Sequence, residues 1–555
     1  MGAIDLHVHS NRSDGTFSPR ELVDYALQKG LKAMALTDHD TIEGIDEIIA
    51  YAKNKPIEII PGIEYSTEYQ GRDVHIVGLF IEHKSPVFLK YLARFQKSRD
   101  DRNHKLCANL RAAGIDITYE SLMAAFPDAV VTRAHYAKYL LDKGCVKSRK
   151  EAFDRYLGDH TPYFVHREKI TPEEVIEVTR QAGGVPVLAH PTLYQLGREQ
   201  LETLVATLKK AGLMGMETVY STYTEGETRR MKALAKQYEL LESGGTDFHG
   251  ENKPGLDLAS GYGRLYVDEM ILDGLKRARE TKILFTDLDD TLLTDDKGIS
   301  DKTRGKILQM LAAGHHFVLA SGRPINSILA VLERLDLARD ADGKAGGVYA
   351  TAYNGAMLYD CIKQEPIEGY TIALKTAQRL FDMAAARGLH IQTYTDTHIV
   401  SIAEDKELEF YTKSVVLPHI VSTRPEEVLT HAPYKLIAIE LEDRERLEAF
   451  REEIEASDIG EEIICAFSND RYLEFYNRGA GKGNALVKLC KALNLLVANA
   501  VAVGDEENDI SMIKAAGIGV AMVNGNSVLR ECADYVTQND NNHDGIVEVI
   551  DKFIL

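Results

Sequence analysis

Ile4-Asp5-Leu6-His7-Val8-His9-Ser10 places two histidines at alternate positions of a short apolar stretch near the start of this 555-residue chain. Alternate residues of a strand share a face, so His7 and His9 point the same way and lie close enough to grip one metal ion. The pair alone says little. Its company changes the reading: Asp14 in Ser-Asp-Gly, Asp38-His39-Asp40, Glu64 in Gly-Ile-Glu, His75, His190 in Ala-His-Pro, and Asp247 with His249. Imidazole and carboxylate together are the donors that hold first-row divalent ions, and so many of them point to a multinuclear metal site.

Where these residues fall argues as strongly as their type. Lys32-Ala33-Met34-Ala35-Leu36 runs into Asp38-His39, Ile57-Glu58-Ile59-Ile60 into Glu64, Val185-Pro186-Val187-Leu188-Ala189 into His190, and Glu239-Leu240-Leu241 into Asp247. Each is an apolar run of strand length with a candidate ligand after it. Helices are expected between them: Ser18-Pro19-Arg20-Glu21 and Thr171-Pro172-Glu173-Glu174 read as capping boxes with proline at the first helical position, and Gly30 and Gly183 as stops. Strand, ligand, helix, repeated, predicts an α/β domain in which a β/α barrel gathers its site at the carboxyl ends of parallel strands.

The chain is longer than one core supports, so two or more domains are expected. With 85 acidic against 65 basic residues, net charge −20 and pI ≈ 5.4, long nucleic acid is excluded as a sequence-independent partner, while a nucleotide or short oligonucleotide held by a few arginines is not. The N-terminus enters a strand without a basic and apolar leader, and no apolar run reaches the roughly 18 residues of a membrane span, so a soluble, cytoplasmic protein with no membrane partner is expected. Six scattered cysteines without a Cys-x-x-Cys pair are expected to be buried thiols.

A second pattern begins after the helical stretch 269–280. The apolar run Lys282-Ile283-Leu284-Phe285-Thr286 delivers Asp287-Leu288-Asp289-Asp290-Thr291, two carboxylates at i and i+2 on one face. One can attack phosphorus while the other serves as acid and base. Phe317-Val318-Leu319-Ala320 ends at Ser321-Gly322-Arg323, where a hydroxyl and backbone N–H groups can hold phosphate oxygens. Lys482 in Gly481-Lys482-Gly483 can neutralise charge, and Ala500-Val501-Ala502-Val503 ends at Gly504-Asp505-Glu506-Glu507-Asn508-Asp509, whose carboxylates suit magnesium. The Lys482 stretch is not a Walker A loop, since Tyr476 stands at the first glycine position and Gly483 follows the lysine.

Both halves resemble known families. Residues 1–280, through Asp5-Leu6-His7-Val8-His9-Ser10, Ser13-Asp14-Gly15-Thr16, Leu36-Thr37-Asp38-His39-Asp40, Gly62-Ile63-Glu64, His75-Ile76-Val77-Gly78, Ala189-His190-Pro191 and Gly245-Thr246-Asp247-Phe248-His249-Gly250, resemble the PHP (polymerase and histidinol phosphatase) superfamily, in its branch of nucleoside 3',5'-bisphosphate phosphatases and 5'-to-3' exoribonucleases. The resemblance implies a distorted β/α barrel with three ions, manganese or else iron or zinc: His7, His9, Glu64 and Asp247 on the first, Glu64, His75 and His190 on the second, Asp14, His39 and His249 on the third. Residues 281–555, with Thr351-Ala352-Tyr353-Asn354-Gly355-Ala356 and Ala533-Asp534-Tyr535-Val536-Thr537 beside the motifs above, resemble the Cof-type group of the haloacid dehalogenase (HAD) superfamily. That implies a Rossmann-like core with an α/β cap near 362–472, magnesium on Asp287, Asp289 and Asp505, and catalysis by Asp287, Asp289, Ser321 and Lys482. Asp290 departs from the glycine usual there, at a turn position that tolerates Asp.

Substrate contacts are expected from Arg323, Asn354 and Asn508 in the second half. In the first, residues 87–158 read as a helical insertion, longer than a barrel loop requires, that covers the site and offers Arg133 and His135, with Arg167 following. The expected function is a two-domain phosphohydrolase acting on a nucleoside bisphosphate or short 5'-phosphorylated oligoribonucleotide and on a small phosphorylated metabolite. Alternatives are a histidinol-phosphate phosphatase in the first half, or one half serving as a non-catalytic regulatory module.

Overall fold

The computed structural model describes residues 2–555 apart from 127–129, 159, 166–169, 338–344, 396, 414 and 416. It divides into two compact units, Met1–Glu280 and Thr281–Leu555.

The first unit is a seven-stranded sheet in sequence order, β1 (Ala3–Val8), β2 (Leu31–Leu36), β3 (Glu58–Tyr69), β4 (Arg72–Leu79), β5 (Val185–Leu188), β6 (Gly215–Tyr220) and β7 (Leu241–Gly245). It curls until its ends meet: Asp247 N donates to His7 O at 2.8 Å, His9 N to Phe248 O at 3.0 Å, and Val8 and Phe248 form a parallel bridge. β1–β2–β3 and β5–β6–β7 pair in parallel, whereas β4 runs antiparallel to both neighbours, which is the distortion of the barrel. The helix Pro19–Gln28 starts where expected, with Ser18 Oγ accepting from Glu21 N and Glu21 reaching back to the Ser18 N–H; Thr171 Oγ1 likewise accepts from Glu174 N. Apolar positions of these helices close over the sheet through Leu22, Val23, Val175 and Ile176.

One strand differs from the sequence reading. The run ending at Ile60 continues to Tyr69, because the antiparallel hairpin with β4 pairs it from Gly62↔Leu79 to Tyr69↔Arg72. Glu64 therefore sits mid-strand, not past a strand end, and faces His75 of β4. Between β4 and β5 lie helices Pro86–Ala112, Tyr119–Ala125, Arg133–Asp142 and Arg149–Ala152, with an apolar core of their own that includes Leu106, Leu110, Leu122, Tyr136 and Leu140.

The second unit carries two sheets. The larger has the order β12-β11-β10-β9-β8-β19-β20-β21, with β8 (Ile283–Thr286), β9 (His316–Ala320), β10 (Val348–Ala352), β19 (Ala500–Gly504), β20 (Ile518–Ala521) and β21 (Tyr535–Val536) all parallel. The hairpin β11 (Met357–Asp360) and β12 (Glu365–Gly369) extends its edge antiparallel. The smaller sheet has the order β15-β14-β13-β16-β18-β17, from β13 (His390–Tyr394), β14 (Ile399–Ser401), β15 (His419–Val421), β16 (Lys435–Ile439), β17 (Ile463–Asn469) and β18 (Tyr472–Asn477). This second sheet thus ends at Asn477, past the expected 472, and Glu365–Gly369, expected within the cap, pairs into the larger sheet.

Candidate active sites

In the first unit the predicted donors converge. Glu64, 1% exposed, is the hub: its Oε1 lies 2.9 Å from His75 Nδ1 and 3.0 Å from His190 Nε2, and its Oε2 lies 3.3, 3.2 and 3.1 Å from His7 Nε2, His9 Nε2 and His39 Nδ1. His7 Nε2 and His9 Nε2 are 3.1 Å apart, and Asp247 Oδ1 stands 3.6 and 3.2 Å from them. Asp14 Oδ1 meets His249 Nε2 at 3.2 Å, while Asp14 Oδ2 is 3.9 Å from His39 Nε2. His39 thus stands between Glu64 and Asp14, and His9 groups with Asp14, His39 and His249 as well as with His7 and Asp247.

This donor set fits a metal. Four donors at about 2.1 Å in a tetrahedron stand roughly 3.4 Å from one another, and the measured separations among His7 Nε2, His9 Nε2, Glu64 Oε2 and Asp247 Oδ1 run from 3.1 to 3.6 Å. Asp14 Oδ1, His39 Nδ1 and Asp247 Oδ1 are buried without a hydrogen-bond partner, a costly state unless a cation faces them. Burial opposes ionisation of Glu64, yet His39, His7 and His75 hold its carboxyl well below the usual range.

An outer ring of side chains braces these donors, and the sequence reading named none of them for that role. Glu217 of β6 receives His7 Nδ1 at 2.9 Å and the His190 N–H at 2.6 Å. Asp38 accepts from the hydroxyls of Ser10 and Ser13, both at 2.6 Å, and Asp5 from Thr246 Oγ1, also at 2.6 Å. Tyr220 donates to Asp247 Oδ2 at 2.6 Å, and Lys253 also donates to that oxygen. Glu217, a single acid in the buried run Met214-Gly215-Met216-Glu217-Thr218, was the legible signal.

Asp14, His39 and His75 also line a cavity of about 280 Å³ whose far wall carries Arg99, Arg102 and Arg133 from the inserted helices. Arg133 donates to Asp73 at 2.6 Å and lies over the Phe164 ring. Arg99 is buried and pairs with Asp40. His135 does not line this cavity; its Nδ1 accepts from Thr132 N at 3.0 Å, capping the helix it starts, and burial lowers its pKa. Arg167 lies outside the described residues.

In the second unit β8, β9, β10 and β19 deliver Asp287, Ser321, Asn354 and Asp505 from the carboxyl ends of neighbouring parallel strands. Buried Lys482, first residue of the helix Lys482–Ala492, reaches Asp287 Oδ1 at 2.6 Å and Asp509 Oδ1 at 2.5 Å. Burial works against the Lys482 ammonium and the two carboxylates outweigh it, so its pKa is raised. Asp505 accepts from Thr291 at 2.6 Å, and burial pushes its carboxyl up to about 7. Burial likewise raises Asp287, with Lys482 opposing and Asp509 and Asp505 assisting. Three carboxylates around one ammonium are short of positive charge, and oxygen donors of this kind suit magnesium.

Asp289 stands apart from that group. Its side chain is 37% exposed and forked by Arg323, at 2.9 and 2.6 Å, with Lys297 at 3.1 Å, and Asp509 takes the third place beside Asp287 and Asp505. Ser321 Oγ accepts from Arg323 N at 3.2 Å. Asn354, at φ 55°, donates to Glu474, which Lys435 holds at 2.5 Å. Asn508 is half-buried beside Asp509.

Comparison with known proteins agrees with this geometry. Residues 5–158 match the model of the PHP domain, and residues 284–550 that of haloacid dehalogenase-like hydrolases. A 5'-3' exoribonuclease of Haemophilus influenzae is 40% identical over 245 residues, 44% of this chain and 89% of the relative. A 3',5'-nucleoside bisphosphate phosphatase of Chromobacterium violaceum is 33% identical over 259 residues, 46% of this chain and 91% of the relative. The chain belongs to the PHP family in its first half and to the HAD-like hydrolases in its second. It is a hydrolase of phosphate esters, with two phosphoesterase-type domains. A haloacid dehalogenase-like hydrolase from Bacteroides thetaiotaomicron has 27% identity and a TM-score of 0.44, covering 49% of this chain and 99% of that one. Among the described residues no helix is long and apolar enough to cross a membrane.

Proposed function

We propose that residues 1–280 hydrolyse a phosphate ester bond of a nucleoside 3',5'-bisphosphate or cleave a short 5'-phosphorylated oligoribonucleotide, and that residues 281–555 dephosphorylate a small phosphorylated metabolite. The carrying observation for the first is the cavity that joins Asp14, His39 and His75 to three arginines. A phosphoryl group to be cleaved would lie against the His-rich cluster, and a second phosphate would meet the guanidinium of Arg133, whose planar fork matches phosphate oxygens. Manganese, iron or zinc, when held by His7, His9, Asp14, His39, Glu64, His75, His190, Asp247 and His249, supplies Lewis-acid activation of phosphate and water. The protein's part is to bury these donors, keep their lone pairs inward and admit the substrate from the cavity side. Supporting this reading, relatives named for the two activities are similar over 245 and 259 residues.

In the second half Asp287 would attack phosphorus and carry the phosphoryl group as an aspartyl-phosphate. Lys482 would hold the attacking oxygen and offset phosphate charge, and Ser321 would receive a phosphoryl oxygen. Magnesium held by Asp287 and Asp505 supplies further charge neutralisation. Once phosphate draws Arg323 away from it, Asp289 would give a proton to the leaving oxygen and then take one from the water that hydrolyses the aspartyl-phosphate.

Adenosine 3',5'-bisphosphate incubated with the manganese-loaded protein should yield AMP and inorganic phosphate, resolved by chromatography. A generic phosphomonoester turned over while the bisphosphate stays intact would overturn the nucleotide assignment.

A further inference from the structure

Resting on the metal-site reading above, we infer that Glu217 is the positioning residue that sets two metal ligands at once, His7 and His190. β6 lies between β5 and β7 and carries none of the nine predicted donors, yet Glu217 at its centre is 1% exposed. A carboxylate only accepts hydrogen bonds. Its Oε1, 2.9 Å from His7 Nδ1, therefore keeps the His7 proton on Nδ1 and leaves the Nε2 lone pair facing His9, Glu64 and Asp247.

The other oxygen acts on the backbone. His190 has φ 28° and ψ 52°, in the left-handed region that a side chain with a Cβ avoids. Its buried N–H points to Glu217 Oε2 at 2.6 Å, and that bond holds the turn which brings His190 Nε2 to 3.0 Å from Glu64 Oε1. His7 addresses Glu64 Oε2 and His190 addresses Glu64 Oε1, so one side chain of β6 governs both sides of the hub. The same strand supplies Tyr220, which holds Asp247 Oδ2 at 2.6 Å and turns Oδ1 toward His9.

Glutamine is the discriminating substitution because it keeps the volume and loses one acceptor. If its NH2 faces His190, donor meets donor and the strained turn loses its restraint. If it faces His7, the ring must accept at Nδ1 and carry its proton on Nε2, on the ligand side. Neither orientation reproduces the carboxylate.

The test uses the full chain, stripped by chelator and titrated with Zn2+, a diamagnetic probe, in the wild type and in Glu217→Gln. Affinity is measured by chelator competition, and histidine ring nitrogens are observed by 15N NMR, with His7→Gln assigning the His7 signal. We expect Zn2+ affinity to fall about 10–100-fold in Glu217→Gln, with unchanged far-UV circular dichroism and loss of the low-field Nδ1–H resonance of His7. Wild-type affinity within twofold together with an unchanged His7 resonance would overturn the inference while leaving the metal site standing. A wild type that binds no Zn2+ would overturn both. Should the variant fail to fold, the Zn2+-loaded wild-type spectrum decides alone: a proton on His7 Nε2 refutes the assignment.

Discussion

Six imidazoles stand among three carboxylates in the first half, while in the second three carboxylates close on the single ammonium of Lys482. Nitrogen donors suit manganese, iron or zinc; oxygen donors alone suit magnesium. The difference extends to the nucleophile. Among the described residues the His-rich cluster is built of imidazoles and carboxylates that face one another, a donor set suited to a cation. In the second half Asp287 is held by Lys482 with one oxygen engaged, and on the proposed reading the attacking group belongs to the chain itself. On the proposed reading, similar chemistry would be reached through a metal centre on one side and through a covalent carboxylate on the other.

The sharpest way to break that comparison is to remove each centre in turn. Asp287→Asn should lower magnesium-dependent hydrolysis of a generic phosphomonoester on the order of 10³-fold or more and leave manganese-dependent cleavage of adenosine 3',5'-bisphosphate unchanged. Glu64→Ala should do the reverse, because five histidines turn to that one side chain. Loss of both activities from either substitution, in a protein that stays folded, would mean that the halves do not work independently.

Metal replacement asks the same question without mutation. After chelation, magnesium alone should restore the second activity fully and the first by less than about a tenth, and manganese should be needed for the remainder. Equal recovery of both rates under magnesium would erase the distinction between the two donor sets.

The two regions also differed in what their sequences disclosed. Donors that follow short apolar runs, such as His39, His190, Asp287 and Asp505, were legible because a strand end fixes where the next side chain goes. Glu64 was legible as a residue but misplaced along its strand, since antiparallel pairing with β4 prolongs β3 past Pro61 and sequence does not announce the partner. Glu217 marks itself only as one acid in a buried run, and Tyr220 not at all, because a side chain that holds a ligand needs no motif. In the second unit Asp509 stands within a legible motif, but only the fold shows it sharing Lys482 with Asp287. Lys435 and Glu474 meet Asn354 through strands distant in sequence, and the end of the smaller sheet was missed because no chemical motif marks it.

Arg133→Ala probes the substrate side of the first cluster. A charge-assisted contact to phosphate is worth about 1.5–3 kcal/mol, so KM for adenosine 3',5'-bisphosphate should rise about 10–100-fold. For a simple phosphomonoester it should change less than about threefold, since no second phosphate reaches the arginine. Steady-state kinetics on both substrates checks it. An equal rise for both would place Arg133 on the cleaved phosphate instead, and a selective rise would add a substrate-reading arginine to the contrast between the halves.

The smallest expected effect is at Asp290, where the HAD-like half departs from the glycine usual in its motif. Its backbone sits at φ 56°, ψ 7°, a left-handed conformation that glycine adopts freely and aspartate tolerates. Its carboxylate is 59% exposed and reaches only Lys297, at 3.6 Å, an exposed pair worth about 0–1 kcal/mol. Its carbonyl accepts from Asn524 at 2.8 Å, a bond that survives loss of the side chain. Asp290→Gly relieves the local backbone and adds freedom to the unfolded chain, two effects of opposite sign and of roughly 0.5–1 kcal/mol each. The magnesium-dependent rate should therefore stay within about twofold, and the melting temperature within a few degrees. A fall of tenfold or more at saturating magnesium, with the melting temperature unmoved, would make Asp290 a working carboxylate. The oxygen-only centre would then extend beyond Asp287, Asp505 and Asp509, and lean on its exposed rim as well as on its buried lysine.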